Sequence, residues 1–210
     1  LGYEAFYIPD DIFAINLEKV RPYLHAIKNS GLIFRCNAHA KFMNDEFAAA
    51  LKDAGCYELS FGIESGSQKI LDNVGKKTSV QQNYDFIKIV KSHDIRIKAY
   101  FMLGLPGEDY NTISVTEEFI QNAIGRYGLD DFQLSIYYPY KGTKIRKLMD
   151  QGDDIDLQFL GEGLGAHTHG NGASEARIRT HALSAEDLLR ERTRIIKNYK
   201  PKSHMSGWKK

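Results

Sequence analysis

Four apolar, strand-like runs in this 210-residue chain each end in a short cluster of polar or turn residues. In order the clusters are Ile8-Pro9-Asp10-Asp11-x-Phe13, Phe61-Gly62-Ile63-Glu64-Ser65, Leu103-Gly104-Leu105-Pro106-Gly107-Glu108 and Tyr138-Pro139-Tyr140-Lys141-Gly142-Thr143. Stretches of helical periodicity separate them, and such alternation predicts a parallel sheet with helical cover. In parallel α/β sheets the working residues lie just past the carboxyl ends of the strands. The order of the four clusters therefore locates a candidate site before any chemistry is assigned.

The first strand is read over residues 3–8, with the chain entering it at once, and Pro9 ends it because proline brings no amide hydrogen to a ladder. Asn16 is placed to cap a helix that carries Val20, Leu24 and Ile27 on one face and closes at Gly31. Strands are expected at 32–38, 57–63, 95–103 and 131–138. Between them lie helices capped by Asn44, Ser67 and Thr78, and a longer amphipathic helix at 110–125. A short helix is expected from Thr143. Beyond residue 150 the character changes. Five glycines fall between Gly161 and Gly172, a loop or substrate-side lid. Ser184-Ala185-Glu186-Asp187 then opens a final helix with Leu188, Arg192, Ile195, Ile196 and Tyr199 in its stripe, and the basic residues 200–210 are expected to fray. The chain is thus divided into a core at 1–150 and a loop-and-helix extension at 151–210.

The formal net charge of +1 selects neither nucleic acid nor an anionic membrane, and no apolar run approaches the ~20 residues of a membrane span. No secretory leader pattern is visible. The two cysteines, Cys36 and Cys56, sit in apolar contexts and read as reduced, buried hydrophobes of a cytoplasmic protein, with a bridge between them as the other reading.

With these motifs in view, the chain resembles the radical S-adenosylmethionine enzymes, in the cobalamin-associated iron–sulfur oxidoreductase branch. The resemblance covers about residues 4–150 and rests on Asp10-Asp11-x-Phe13, Ala54-Gly55-Cys56, Gly62-Ile63-Glu64-Ser65-Gly66-Ser67, Lys76, Gly104-Leu105-Pro106-Gly107-Glu108 and Pro139-x-x-Gly142-Thr143, in the family's order. It implies an α/β fold, a partial (βα) TIM-like barrel of about five parallel strands with the first barrel strand missing. One departure is plain: the family's C-x-x-x-C-x-x-C loop, which supplies three thiolates to a 4Fe–4S cluster, cannot be made from two cysteines twenty residues apart. The chain is accordingly read as a fragment whose cluster ligands lie upstream of Leu1, inactive alone, or as a relative without them. The implied cofactors of the full-length parent are S-adenosylmethionine and a 4Fe–4S cluster, with cobalamin use left open. The implied chemistry is reductive cleavage to a 5′-deoxyadenosyl radical, or methyl transfer.

The resemblance also assigns binding roles. Asp10 and Asp11 would hold the methionyl ammonium by charge-assisted hydrogen bonds, the plainer reading being a solvated turn. Glu64 would contact ribose or the methionyl part, or else simply favour the next helix dipole. Ser65 is either a ligand contact or a helix cap, and Lys76 would pair with the methionyl carboxylate. Phe101, Met102, Leu103 and Gly104 would line the adenine, largely through main-chain groups that glycine lets approach closely. Ile136 and Pro139 on the next strand, with Tyr137, would close its other side. His39 falls where relatives often carry a basic residue. His167 and His169 form a His-x-His without acids or thiols at ligand spacing, so they are read as loop residues. No catalytic residue and no metal ligand is assigned.

Two other classes fit the same residues. A metal-dependent acid–base barrel enzyme would use Asp10, Glu64 and Glu108. A non-catalytic partial barrel would serve as a binding scaffold, since barrels host many functions. The expected partner is a small-molecule or unidentified substrate. An exposed sheet edge would favour self-association, or covering by the C-terminal segment.

Overall fold

The computed structural model describes residues 2–162 and 175–199. A five-stranded sheet runs in sequence order: β1 (Ala5–Ile8), β2 (Ile33–Ala38), β3 (Cys56–Glu64), β4 (Arg96–Leu103) and β5 (Asp131–Ile136). Every neighbouring pair is parallel. The crossovers carry α1 (Leu17–Ser30), α2 (Asp45–Asp53), α3 (Gln68–Asn73), α4 (Val80–Ser92) and α5 (Tyr110–Gly125). The α/β class and the parallel partial barrel are as expected. The first strand is shorter than the sequence suggests, starting at Ala5, and the fifth ends at Ile136.

Alternation along the strands separates two faces. Phe34, Cys36 and Ala38 of β2, Leu59, Phe61 and Ile63 of β3, Ile97, Ala99, Phe101 and Leu103 of β4, and Phe132 and Leu134 of β5 are buried in one core. Phe61 stacks on Phe86 of α4 with ring centroids 4.0 Å apart, and Phe101 meets Phe119 of α5 edge-on at 5.9 Å; each such pair adds roughly 1 kcal/mol beyond its buried area. The intervening residues Arg35, Asn37, Glu58, Lys98, Tyr100, Met102, Gln133 and Ser135 are only half-buried, on the face away from the helices. Both cysteines are free and lie among the buried residues.

Two caps differ from expectation. The α4 cap is Ser79, not Thr78; its hydroxyl accepts from Gln82 N while the Gln82 side chain returns a bond to Ser79 N. Ser67 occupies the α3 cap position without a side-chain cap bond, and its own N–H donates to Ser65 Oγ at 3.1 Å.

After α6 (Lys144–Gln151), the short antiparallel pair β6 (Gln158–Phe159) and β7 (Ile178–Arg179) leads into α7 (Ala185–Tyr199). Residues 163–174 and 200–210, including His167, His169 and the basic tail, lie outside the described residues. Helix α7 is tied to α5 by a two-pronged pair from Arg194 to Glu117 at 2.7 and 2.6 Å. It also reaches β5. Tyr137 donates to Leu103 O, so odd-numbered backbone groups of β5 face β4 and the Leu134 carbonyl faces the open side. Arg192, 6% exposed, donates from Nε to that carbonyl at 2.8 Å. A guanidinium thus terminates a ladder that would otherwise leave acceptors for another chain. No helix among the described residues is long and apolar enough to cross a membrane.

Arg192→Ala should lower unfolding free energy by about 2 kcal/mol, the usual worth of a hydrogen bond to a charged group. It should also raise the weight-average mass with concentration in light scattering. An unchanged denaturant midpoint with no association would show that α7 covers this edge without the arginine.

Candidate functional site

Five parallel strands put their carboxyl ends on one rim, where Glu64 ends β3, His39, Gly104 and Tyr137 directly follow β2, β4 and β5, and Asp10 stands two residues past β1. Asp10 and Asp11 form an exposed turn, and their carboxylates make no hydrogen bond or ion pair among the described residues. The Asp10 carbonyl, by contrast, is held by Asn37 Nδ2 at 2.8 Å.

Glu64 is the most constrained residue on the rim. Its φ of 69° is left-handed, a conformation that costs a non-glycine residue roughly 1–2 kcal/mol. The β3–β4 register slips between Gly62 and Glu64, so this residue sits in a bulge that re-aims its side chain. The carboxylate meets Lys76 Nζ at 2.8 Å, with both side chains under one-fifth exposed. A Cβ at Gly62 would collide with Glu64 Oε1 and press Lys76 Nζ at 3.2 Å, so Gly62 is the seat over which the pair lies. Lys76 therefore stands against Glu64 in this structure, rather than alone after a helix end.

His39 completes the group. Its Nδ1 accepts from Lys41 N at 3.2 Å, which leaves the ring proton on Nε2 in the neutral form. Burial first, then the charge of Lys76, holds the imidazole pKa below its ordinary value, with Glu64 opposing. A neutral donor thus adjoins a carboxylate–ammonium pair.

Ser65 is fully buried and faces the helix layer. It shares a 3.0 Å hydrogen bond with Thr116 of α5, whose hydroxyl also receives Gly66 N. A Cβ at Gly66 would stand 2.5 Å from Phe119 Cβ and 3.0 Å from Val115 O. The Ser-Gly-Ser run thereby lets α5 approach the end of β3.

On β4, Phe101 and Leu103 point into the core and Met102 lies on the open face. What Phe101 and Leu103 offer a ligand is backbone. Gly104 has a φ of 82°, and a Cβ there would strike Ile178 Cδ1 and crowd Leu188 Cδ1 at 3.0 Å; the C-terminal segment thus seals the back of this turn. The loop is closed from within by Glu108, whose Oε2 accepts from Gly104 N while its carbonyl accepts from Thr180 Oγ1 at 2.9 Å. Burial raises the Glu108 pKa to about 7, only partly offset by the backbone donors of Gly104 and Leu105. Ile136 and Pro139 are buried and Tyr137 half-buried at the end of β5.

A groove of about 440 Å³ lies behind this loop, lined by Asn73, Pro106, Gly107, Asp154, Asp156 and His181. Its polar groups are engaged with one another: His181 stands 3.1 Å from Asp156 and 3.6 Å from Asp154, and its backbone N–H donates to Asp156. The rim carries unsatisfied acceptors and a strained backbone, and is the better candidate. Among the described residues no set of three histidines, cysteines or acids is arranged to hold a metal ion.

Asn37, and the half-buried polar rows beside it, were not singled out from sequence. The available signal was the strict alternation in Phe34-Arg35-Cys36-Asn37-Ala38, and again in Ile97-Lys98-Ala99-Tyr100, which marks one face as polar.

Comparison with known proteins gives a consistent likeness. The family model described as the Radical SAM superfamily matches residues 2–120. An uncharacterized methyltransferase of Pyrococcus horikoshii is 31% identical over 138 residues, 65% of this chain and 29% of that protein. A tRNA-2-methylthio-N(6)-dimethylallyladenosine synthase of Thermoanaerobacter is 28% identical over 146 residues, 67% of this chain and 30% of that protein. The chain thus spans about a third of the length of such relatives. Among solved structures, the radical S-adenosylmethionine methyltransferase TsrM of Kitasatospora setae, with cobalamin and a 4Fe–4S cluster bound, superposes with a TM-score of 0.61 at 16% identity, covering 76% of this chain and 34% of that one. At that identity the match speaks for the fold.

The Glu108 carboxyl gives a signed pH test. Unfolded it titrates near 4.5, and folded at about 7, so the folded chain holds the proton more tightly. Its contribution to stability is complete below pH 4.5 and is lost as pH rises through 7. The difference in unfolding free energy between the wild type and Glu108→Gln should therefore shift against the wild type by on the order of 3 kcal/mol from pH 4.5 to 8. A difference independent of pH in denaturant melts would remove the raised pKa.

Proposed function

Because the chain belongs to the Radical SAM superfamily, we propose that its rim is the cosubstrate-binding and substrate-side part of an S-adenosylmethionine-dependent enzyme. The observation that carries this reading is the convergence on one rim of the acidic Asp10–Asp11 turn and the strained Glu64 with Lys76. The core at residues 1–150 would hold the nucleoside, with residues such as Ile178 and Leu188 covering its back wall.

The family implies S-adenosylmethionine and a 4Fe–4S cluster. This chain's residues do not fit the cluster. Cys36 and Cys56 are 0% and 1% exposed on the helix side of the sheet, away from the rim. No step is therefore assigned to a metal centre in this chain, which by itself is inactive in this reading. The residues do fit the organic cosubstrate. The carboxylates of Asp10 and Asp11, which have no ion pair among the described residues, suit an ammonium. Glu64, aimed by its bulge, suits the ribose hydroxyls, with Lys76 beside it for the methionyl carboxylate. The buried end of β4 offers backbone groups to the adenine edge, while Ile136, Tyr137 and Pro139 give it an apolar wall.

Methyltransferase and methylthiotransferase relatives favour group transfer to a substrate lying over the polar face of the sheet. Radical generation at the 5′ carbon is the alternative use of the same cosubstrate. The TsrM likeness keeps cobalamin as an option for the parent, and the two reduced thiols suit a cytoplasmic setting. The substrate is taken to be a small molecule or a modified group on a larger one.

Two measurements test the proposal. After iron and sulfide reconstitution, this chain should bind no stoichiometric cluster; a stable cluster with a four-iron spectrum would overturn its assignment as the cosubstrate-side portion. In the intact protein, Glu64→Gln should weaken S-adenosylmethionine binding by about tenfold, equivalent to about 1.4 kcal/mol, in a calorimetric titration. Unchanged affinity would take Glu64 out of the site.

A further inference from the structure

We propose that Ser60 and Lys98 form an oxyanion site on the open face of the sheet, so that the substrate carries a carboxylate or phosphate group. The proposal rests on the cosubstrate reading above and names the class of substrate that the same rim would serve. Ser60 of β3 and Lys98 of β4 are partners in the parallel register. Parity sends both side chains away from the helices, because Leu59, Phe61, Ile97 and Ala99 enter the core. Neighbouring strands lie about 4.8 Å apart, so the two side chains rise side by side. Asn37 is the register partner of Ser60 on its other flank. A serine between an asparagine and a lysine is the low point of its row, and Gly62, the next residue of β3 on this face, has no side chain. A trough thus runs along β3 with Ser60 at its floor.

Two donors in this trough lack acceptors. Ser60 is only 4% exposed, yet its hydroxyl makes no hydrogen bond among the described residues. Such a group is unfavourable until something accepts its proton. The Lys98 ammonium stands 5.7 Å from the centre of the Tyr100 ring and has no ion pair among the described residues. The acids around it are engaged elsewhere. Glu58 is shared by Arg35 at 3.5 Å and Arg96 at 3.7 Å. Asp130 is held by Lys91 at 2.8 Å, with Arg96 at 3.9 Å. Asp131, beside Lys98 on β5, accepts from Phe132 N through Oδ1 at 2.8 Å. At the top of the trough, Lys76 is paired with Glu64. A hydroxyl and an ammonium side by side are matched by an oxyanion, which only accepts, and the ammonium makes that bond charge-assisted. Ser60 lies two residues, about 7 Å, below Gly62, where the Glu64–Lys76 pair is seated. An anionic group held at Ser60 leaves the rest of a small substrate directed along β3 to the rim.

The test titrates inorganic phosphate and acetate, as separate probes at constant ionic strength, into the 210-residue chain while backbone ¹H–¹⁵N shifts are followed. Saturable shifts at Ser60, Gly62, Lys98 and Tyr100 are expected. A response to phosphate alone assigns a phosphorylated substrate, to acetate alone a carboxylic acid, and to both the oxyanion class. Lys98→Met keeps the apolar stem over Tyr100 and should weaken the responding probe by about tenfold, or about 1.4 kcal/mol. Lys98→Arg should restore binding. Shifts that never saturate, or an affinity unchanged in Lys98→Met, would overturn the site. In the intact protein, Lys98→Met should alter S-adenosylmethionine affinity by less than about twofold in a calorimetric titration. A tenfold loss there would move Lys98 into the cosubstrate pocket and refute the substrate role, with the cosubstrate reading left standing. A wild type that binds the anion but no S-adenosylmethionine would refute the cosubstrate reading and support the oxyanion site.

Discussion

Parallel pairing is the constraint on which the other features depend. A parallel ladder has one carboxyl edge, and five strands joined in sequence order must present every strand end there. The same geometry divides the side chains by parity. Core residues such as Phe61, Phe101 and Phe132 go to the helices, and Arg35, Asn37, Lys98 and Gln133 go to the opposite face. Site and core are thus specified by alternate letters of the same short strands. A one-residue slip of a whole strand would exchange them. The two local irregularities that occur, between Phe34 and Arg35 and between Gly62 and Glu64, are bulges, and the second, at the carboxyl end of β3, changes the aim of the Glu64 side chain.

The loops past the strands are built differently from one another. The β4 loop is shut by its own carboxylate: Glu108 is fully buried and serves Gly104, while the next acid, Asp109, caps α5 through Thr112 N at 2.8 Å. The β1 loop keeps its acids outward and relies on a neighbouring strand for support. Adjacent acidic residues of similar appearance thus do opposite work, one pair consumed by architecture and the other left available. What separates them is partners: Glu108 Oε2 accepts from Gly104 N and Asp109 accepts from Thr112 N, whereas the Asp10 and Asp11 carboxylates face water with no partner among the described residues.

Much of this was readable from the letters. The order of strands and helices, the rim position of Asp10, Glu64 and Gly104, and the buried cysteines all follow from periodicity and turn chemistry. Reading failed where the deciding partner was distant in sequence, or where two adjacent residues offered the same chemistry. Ser65 reads as a local cap, yet its hydroxyl is engaged by Thr116, fifty-one residues on. Thr78 and Ser79 are equivalent as caps until Gln82 selects Ser79 by returning a bond. Lys76 reads as a residue after a helix end, and only the fold reveals it opposite Glu64. Asn37 is hidden for a further reason: it sits within a strand, where a polar letter alone does not show which partner its side chain meets.

The geometry at Glu64 also narrows what this position can become. Its backbone lies in a region that admits glycine, asparagine and aspartate with least penalty, while its charge and reach serve Lys76. Glycine and asparagine relax the chain and forfeit the charge; aspartate keeps both but is a methylene short; glutamine keeps the length, relaxes nothing and is neutral. No single replacement passes every filter. Sequence drift here is therefore blocked by two unrelated demands at once, and any successful exchange would need a second change at Lys76 or Gly62 to accompany it.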